Sequence, residues 1–185
     1  MERASSSNPQ RTSAGAGPID AFGLLGLPVQ FDLDPQAVER AFHERTKELH
    51  PDKFATAPAA ERVAALSRSR ALNDAYQTLK KPVPRAEYLL ERAGVSIGDN
   101  ERLDPTFLME ILELREELAE ARAAKRTSEI ERLFQIMQGR RKAAVGTLPA
   151  LFVTNDLPAI KVQLILLRYL DRYLEECDAA LDEDP

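Results

Sequence analysis

The stretch Leu49-His50-Pro51-Asp52-Lys53-Phe54 separates two long amphipathic segments and determines how they are arranged. The first segment opens on Asp34-Pro35, an N-cap residue followed by proline in the first helical turn, which predicts a helix from Pro35 to about Leu49. Pro51 ends that helix because proline disfavours helical geometry at the residue before it. A second long helix is predicted over 59–80. Two long helices joined by a short, rigid loop predict an antiparallel hairpin.

Short elements extend this hairpin on both sides. Asp20 predicts the N-cap of a helix over 21–25 that stops at Gly26, and a short helix over 85–93 follows two prolines. Apolar residues at the helical period are expected to face the core. They are Val38, Ala41, Phe42 and Leu49 in the first long helix, and Val63, Leu66, Ala71, Leu72, Ala75, Tyr76 and Leu79 in the second.

The second half of the chain predicts three more helices. The first begins at the Asp104-Pro105 signal and covers 105–124. The second is capped by Thr127 or Ser128 and runs to at least 145, and the third is capped by Asn155 or Asp156 and runs to about 181. Pro149 is expected to kink or end the middle helix. The predicted fold is all-α, with a disordered tail over 1–17, the helical-hairpin unit over 18–94, a linker over 95–103, and an antiparallel three-helix bundle over 104–185.

Composition and charge limit the possible functions. Hydrophobic residues make up 44% of the 185-residue chain, but aromatics only 6%, with no Trp, which favours aliphatic helix packing. The net charge of -5 argues against general nucleic-acid binding, which needs a basic face. Residues 1–94 hold 13 Lys+Arg and 12 Asp+Glu, whereas residues 95–185 hold 12 and 18, so the two halves are expected to meet different partners.

The few cysteines and histidines predict a chain without metal or cofactor. A single cysteine, Cys177, rules out an internal disulfide framework or a multi-cysteine iron–sulfur site, and we expect it to be a packed core thiol. The histidines, His43 and His50, lie about 10 Å apart along the helix axis. No apolar run is long enough to span a membrane, and residues 1–17 lack the hydrophobic region of a secretory signal. A cytoplasmic location is therefore expected.

The tripeptide His50-Pro51-Asp52 allows three interpretations. In a plain turn, Pro51 stops the helix and Asp52 accepts a backbone hydrogen bond. In a catalytic site, His50 acts as a base oriented by Asp52, but no nucleophile lies nearby. In a contact loop, the hairpin holds the polar residues rigidly for a partner, so that little entropy is lost on binding. The tripeptide alone does not decide among them.

The residues around the tripeptide resemble a J-domain, and the whole chain beyond the tail resembles one family. The J-domain features are residues 49–54 between the helices, Leu72-Asn73-Asp74-Ala75-Tyr76-Gln77-Thr78-Leu79, and the opening Asp20-Ala21-Phe22-Gly23-Leu24-Leu25-Gly26-Leu27-Pro28. Three further stretches make the chain resemble the HscB family, the J-type co-chaperones of iron–sulfur cluster biogenesis. They are Arg85-Ala86-Glu87-Tyr88-Leu89-Leu90, Phe107-Leu108-Met109-Glu110 and Leu114-Arg115-Glu116-Glu117-Leu118. The Gly/Phe-rich segment and cysteine zinc motifs of general DnaJ proteins are absent from the sequence.

This resemblance implies that the loop contacts a DnaK/HscA-class ATPase chaperone and stimulates its ATP hydrolysis. The implied contacts are His50, Pro51, Asp52 and Lys53, with Arg40, Arg45 and Lys47 of the preceding helix meeting an acidic surface. Leu49 stands where J-domains commonly have Tyr, and Glu39, Glu44 and Glu48 dilute the basic residues.

The helix predicted over 105–124 has two apolar faces. At about 100° per residue, its core side is an arc of about 80°. That arc holds Phe107, Ile111, Leu114, Leu118 and Ala121. The opposite side carries Leu108, Met109 and Leu112 beside Glu113, Glu116 and Glu120. Large apolar side chains bordered by carboxylates predict a binding patch. The alternative is that they pack on the first unit or on another helix.

The family resemblance implies that this face binds the iron–sulfur scaffold protein IscU. The matching positions are Leu108, Met109, Leu112, Glu113, Glu116 and Glu120, with Tyr169 of the last helix where the family often has Phe. We therefore expect a non-enzymatic co-chaperone that brings an IscU-type scaffold to its chaperone. The alternative keeps the J-domain but makes the bundle a module for dimerisation or general folding clients. No nucleic-acid or membrane partner is expected, and the oligomeric state is left open.

Overall fold

The computed structural model describes residues 20–98, 101 and 104–182, and these residues form helices without any strand. Within them the α-helices are α1 (Ala21–Leu25), α2 (Pro35–Leu49), α3 (Ala59–Lys80), α4 (Pro82–Arg92), α5 (Pro105–Ala123), α6 (Thr127–Thr154) and α7 (Leu157–Asp182). A 3-10 turn, Pro51–Phe54, joins α2 to α3. The all-α prediction is confirmed, whereas the predicted tail over residues 1–17 lies outside the described residues.

Aspartate caps begin three of these helices, as predicted. Asp20, Asp34 and Asp104 each accept a hydrogen bond from the amide two residues further on, with oxygen–nitrogen distances of 3.3, 3.0 and 2.8 Å. Each bond satisfies one of the amides that a helix leaves without an internal partner at its start. The Asp-Pro pairs were therefore reliable signals for α2 and α5.

The turns on either side of α6 differ in part from the prediction. The α5–α6 turn extends to Arg126, whose amide donates to the Ala121 carbonyl at 2.8 Å. Arg126 therefore occupies the cap position of α6, and not Thr127 or Ser128 as predicted. At the other end Asn155 adopts the left-handed conformation, with φ of 51°, and terminates α6. The cap of α7 is therefore Asp156, whose carboxylate accepts from the Ala159 amide at 3.0 Å.

Two proline positions correct the predicted boundaries. Pro149 was expected to kink or end α6, and an end at this proline is wrong, because the helix continues to Thr154. Leu148 is fully buried just before the proline, and Leu151 and Phe152 pack against the same core just after it. Their burial offsets the cost of an interior proline, about 3 kcal/mol. The short helix after α3 also begins earlier than predicted, at Pro82, whose fixed φ and missing N–H suit a first helical position.

The first hydrophobic core joins α1, α2 and α3. It includes Phe22, Leu25, Val38, Leu72 and Leu79, and the partly buried Ala41, Phe42, Leu49 and Tyr76 pack against it. Val63 and Leu66 of α3 were expected to face this core, which is wrong: they are 63% and 57% exposed. They lie on the side of α3 opposite Leu72 and Leu79, and this side of the helix meets solvent.

The second hydrophobic core joins α5, α6 and α7 and extends into the first half of the chain. Ala86 and Leu90 of α4, together with Phe31 of the α1–α2 connection, belong to the same buried cluster as the three C-terminal helices. Val95 and Ile97 pack against it as well. The helical hairpin and the three-helix bundle are therefore connected by continuous apolar packing.

A buried arginine strengthens this connection. Arg85 is only 5% exposed and donates from Nε to the Leu79 carbonyl at 2.8 Å and from Nη1 to the Phe31 carbonyl at 2.6 Å. The Phe31 ring stacks on Phe152 of α6, with centroids 4.4 Å apart and planes 1° from parallel. Burial lowers the pKa of Arg85, and nearby Asp32 partly opposes that shift. One side chain thus ties α3, α4 and the α1–α2 connection together beside α6.

Replacing Arg85 with Met is expected to lower the free energy of unfolding by about 2 kcal/mol, because the Leu79 and Phe31 carbonyls lose their donor inside the protein. The measurement is urea unfolding followed by circular dichroism. The matched control is Arg62→Met, since Arg62 is exposed and forms no ion pair with the described residues. Equal stability of the two variants would contradict this role for Arg85.

Candidate functional site

The loop between α2 and α3 is held by its own hydrogen bonds. The Lys53 amide donates to the His50 carbonyl at 3.0 Å, and the Asp52 amide donates to His50 Nδ1 at 3.3 Å. His50 Nδ1 also lies 3.4 Å from Asp52 Oδ2. The side chains of His50 and Asp52 nevertheless remain 51% and 89% exposed. The loop therefore has a defined backbone while it presents polar groups to solvent.

This exposure bears on the catalytic interpretation of His50 and Asp52. In a catalytic triad the carboxylate is buried and the imidazole contacts a nucleophile. Here Asp52 is almost fully exposed, and Cys177 is buried in α7, within the other hydrophobic core. The arrangement fits a contact loop better than a nucleophilic site.

The basic residues of α2 are partly engaged within the chain. Arg40 pairs with Asp34 at 3.4 Å and Arg45 pairs with Glu48 at 3.1 Å, all on exposed side chains. Lys47 and Lys53 are exposed and form no ion pair with any residue that the structure describes. They lie closest in sequence to His50, so the positive charge that is free for a partner is concentrated at the loop.

The outer side of α5 carries an exposed apolar strip, defined by Leu108, Met109 and Leu112. Met109 is 59% exposed and Leu112 is 54% exposed, while Leu108 is half-buried. The core side of the same helix is Phe107, Ile111, Leu114, Leu118 and Ala121, all of which are in or against the bundle core, as expected. The helix therefore combines a buried stripe with large apolar side chains that face solvent.

The carboxylates of α5 fall into two groups. Glu110 pairs with Arg140 of α6 at 2.6 Å, and Glu117 pairs with Arg132 of α6. The remaining three, Glu113, Glu116 and Glu120, form what we call the acidic edge. They are exposed and have no ion pair among the residues in the described ranges. The negative charge of the acidic edge is thus free to act on a partner.

Helix α7 runs beside α5 and is fixed to it at three levels. The Tyr169 ring meets the Phe107 ring edge-on, with centroids 6.2 Å apart. Further along, the Tyr173 hydroxyl donates to the Leu114 carbonyl at 2.9 Å. Arg115 then forms two hydrogen bonds to Glu176, at 3.0 and 2.7 Å. The numbering increases in the same direction along both helices, so α5 and α7 are parallel and Tyr169 lies near the start of α5.

The single cysteine lies in the bundle core, as predicted. Cys177 is fully buried beside Tyr173. Burial, with added repulsion from Asp178 and Glu176, raises the pKa of the Cys177 thiol to about 11. Burial also raises the pKa of Tyr173. Both groups are therefore neutral and form part of the packing.

Two other kinds of site are absent from the described ranges. Residues 20–98, 101 and 104–182 contain no cluster of His, Cys, Asp and Glu that could hold a metal ion. No helix in those ranges combines the length and the apolar character needed to cross a membrane.

Two family models match the chain. The DnaJ domain matches residues 20–88, which hold the α2–α3 loop, and the HSCB C-terminal oligomerisation domain matches residues 103–178, which hold the apolar strip and acidic edge. The two matches together cover most of both hydrophobic cores. A J-domain co-chaperone implies a partner of the Hsp70 type.

Relatives and solved structures agree with this pair of domains. The Co-chaperone protein HscB homolog of Azoarcus sp. strain BH72 is 38% identical over 88% of this chain and 94% of its own. The chaperone HscB from Vibrio cholerae superimposes with a TM-score of 0.77 at 34% identity, over 89% of this chain and 99% of that one. The human co-chaperone protein HscB superimposes with a TM-score of 0.79 at 25% identity, over 94% of this chain and 93% of the human one. The chain belongs to the HscB family of J-domain co-chaperones of iron–sulfur cluster biogenesis.

Proposed function

We propose that the chain stimulates ATP hydrolysis by a DnaK/HscA-class chaperone and delivers an IscU-type scaffold protein to it. Residues 18–94 act as the J-domain, and residues 104–185 bind the scaffold. The observation that carries the proposal is the pairing of two exposed contact surfaces on one tightly joined chain. One surface is the α2–α3 loop with its exposed His50 and Asp52 side chains, and the other is the apolar strip with its acidic edge on α5.

The loop suits a protein contact because its shape is already set before binding. The bonds among His50, Asp52 and Lys53 fix the backbone, so a partner need not order it. The charges of Lys47 and Lys53 steer an acidic surface of the chaperone toward the loop. Arg40 and Arg45 add less, because their own acidic neighbours partly neutralise them.

The apolar strip suits the scaffold because it offers large side chains that are not used in the fold. Burial of exposed apolar area at about 25 cal/mol per Å² is the main source of affinity in such a contact. The acidic edge then requires a basic patch on the scaffold and raises the association rate. Tyr169, half-buried against Phe107, continues this surface onto α7.

The loop and the apolar strip can act together only if their relative positions are fixed. Arg85, Phe31 and Phe152 pack the hairpin unit against α6, and Arg168 of α7 pairs with Glu87 of α4 at 2.9 Å. A chaperone engaged at the loop therefore meets a scaffold held on the same molecule. This raises the effective concentration of the scaffold and couples ATP hydrolysis to its capture.

A reconstituted ATPase assay tests the proposal. The chain should accelerate ATP hydrolysis by a purified HscA-class chaperone, and an IscU-type scaffold should lower the concentration of the chain that gives half-maximal acceleration. Acceleration that is indifferent to the scaffold would favour the alternative, in which the bundle serves dimerisation or general folding clients. The description of the C-terminal family model as an oligomerisation domain is the reason to keep that alternative, and light scattering of the chain alone tests it.

A further inference from the structure

One flank of α7 carries three basic residues, of which only the last has no partner in the described part of the chain. Lys161 pairs with Glu101 at 2.5 Å, and Arg168 pairs with Glu87 at 2.9 Å. Arg172 lies one turn further along the same flank and is exposed, and it forms no ion pair with the residues described. The charges of Lys161 and Arg168 thus form ion pairs within the fold, whereas the Arg172 guanidinium is available for another molecule.

Arg172 lies beside Tyr169, at the level of the apolar strip. Both residues line one cavity at the surface, whose other charged residues, Glu101 and Arg168, are already paired with Lys161 and Glu87. Because α5 and α7 are parallel, the Tyr169–Phe107 contact and the Glu176–Arg115 pair mark two levels along the helices. Arg172 lies between these levels on α7, and Leu108 and Leu112 lie between them on α5.

The contacts of α5 show which edge of the strip faces Arg172. Measured from Phe107 at about 100° per residue, Arg115 lies at about 80° and points to α7, where it pairs with Glu176. Leu108 and Leu112 follow at about 100° and 140°. The strip therefore begins on the side of α5 that faces α7, where Tyr169 contacts Phe107.

The acidic edge lies beyond Leu108 and Leu112 and surrounds Met109. Glu116 is at about 180°, Met109 at about 200° and Glu113 at about 240° from Phe107. Beyond them, Glu110 at about 300° already pairs with Arg140 of α6. From α7 to α6 the surface is therefore basic at Arg172, apolar at Leu108 and Leu112, and acidic around Met109.

We propose that Arg172 is a specificity-determining contact for the scaffold protein, and that it binds a carboxylate on the scaffold beside the apolar contact. The inference rests on the proposed function and extends its scaffold surface from α5 to α7. An arginine presents a planar fork of donors that matches a carboxylate in two hydrogen bonds. With opposite charges on its two edges, the apolar strip accepts the scaffold in a single orientation, because the reversed orientation places like charges together.

Titration calorimetry with the purified scaffold tests this role. Arg172→Ala should weaken binding about tenfold, as the loss of one arginine–carboxylate contact in an interface typically does. Arg172→Glu should weaken it further, and Arg172→Lys should fall between the wild type and Arg172→Ala, because lysine keeps the charge but loses the fork. Raising the salt concentration should weaken the wild type more than Arg172→Ala, which a purely structural role would not produce.

Lys142→Glu is the matched control, with the same charge change as Arg172→Glu on an exposed residue at the solvent side of α6. It should change the affinity less than twofold, within the small effect usual for charges away from an interface. Wild-type affinity in Arg172→Ala and Arg172→Glu, while Met109→Ala with Leu112→Ala loses binding, would overturn the role of Arg172 alone. A wild-type chain that fails to bind the scaffold would overturn the proposed function itself.

Discussion

Replacing His50 with Gln should abolish the stimulation of the chaperone's ATPase and leave the free energy of unfolding within about 0.5 kcal/mol of the wild type. The His50 ring is half exposed, its polar contacts among the described residues are with Asp52, and it is not part of the hydrophobic core, so its removal leaves the core intact. Its Nδ1 does accept a hydrogen bond from the Asp52 amide and so fixes the Asp52 backbone. Loss of the ring therefore removes both a contact group and the orientation of Asp52.

The measurement is the rate of ATP hydrolysis at saturating co-chaperone, with scaffold binding measured on the same preparation. His43→Gln provides the matched control, because His43 is the other histidine of this region and is exposed on α2. It should stimulate like the wild type. Full stimulation by a folded His50→Gln variant would contradict the contact role of the loop.

Replacing Met109 and Leu112 together with Ala should weaken scaffold binding by about 3 kcal/mol, or about 150-fold in Kd, as the loss of two apolar anchors typically does. These two are the most exposed members of the apolar strip, at 59% and 54%, so their truncation removes little packing from the bundle. ATPase stimulation without scaffold should be unchanged, because the loop belongs to α2 and α3, which pack in the other hydrophobic core.

Titration calorimetry provides the affinity, and Val153→Ala with Val162→Ala is the control pair. Val153 and Val162 are 86% and 55% exposed and lie outside α5, so they test the general effect of shortening exposed apolar side chains. This control should bind the scaffold with wild-type affinity. An unchanged Kd in the Met109 and Leu112 variant would remove the apolar strip from the interface.

The helices and the two contact surfaces could be predicted because their signals are local. An Asp-Pro pair places a cap and a first-turn proline within two residues, and α2 and α5 begin where those pairs predict. The exposed and buried faces of α5 likewise follow from the helical period within one segment. The residues proposed for the loop and the strip came from such local patterns together with the family resemblance.

The joint between the two units could not be predicted, because it depends on contacts between distant segments. Arg85 reads in sequence as an ordinary surface residue, yet it donates to Phe31, 54 positions earlier. The same applies to Val63 and Leu66, whose pattern matches a buried face. A third helix would have to cover that side of α3, and none does in the described residues. Periodicity shows which residues share a face and leaves open what covers it.

The charges of the site show the same limit. Glu110 and Glu117 look equivalent to Glu113, Glu116 and Glu120 in sequence, but their register against α6 brings each of them to an arginine. Only the packed bundle separates the carboxylates that hold the helices together from those that remain available. For the same reason the sequence does not distinguish Arg172 from the other basic residues of α7. In the structure Lys161 and Arg168 form ion pairs, and Arg172 forms none with the described residues.

The central claim is that the loop and the apolar strip must belong to one molecule. The most direct test mixes the His50→Gln variant, which keeps the strip, with the Met109→Ala and Leu112→Ala variant, which keeps the loop, in the reconstituted ATPase assay with scaffold. The mixture should fail to reproduce the scaffold-dependent acceleration of the wild type, since no molecule in it holds the scaffold beside a working loop. Full scaffold-dependent acceleration by the mixture would contradict the claim.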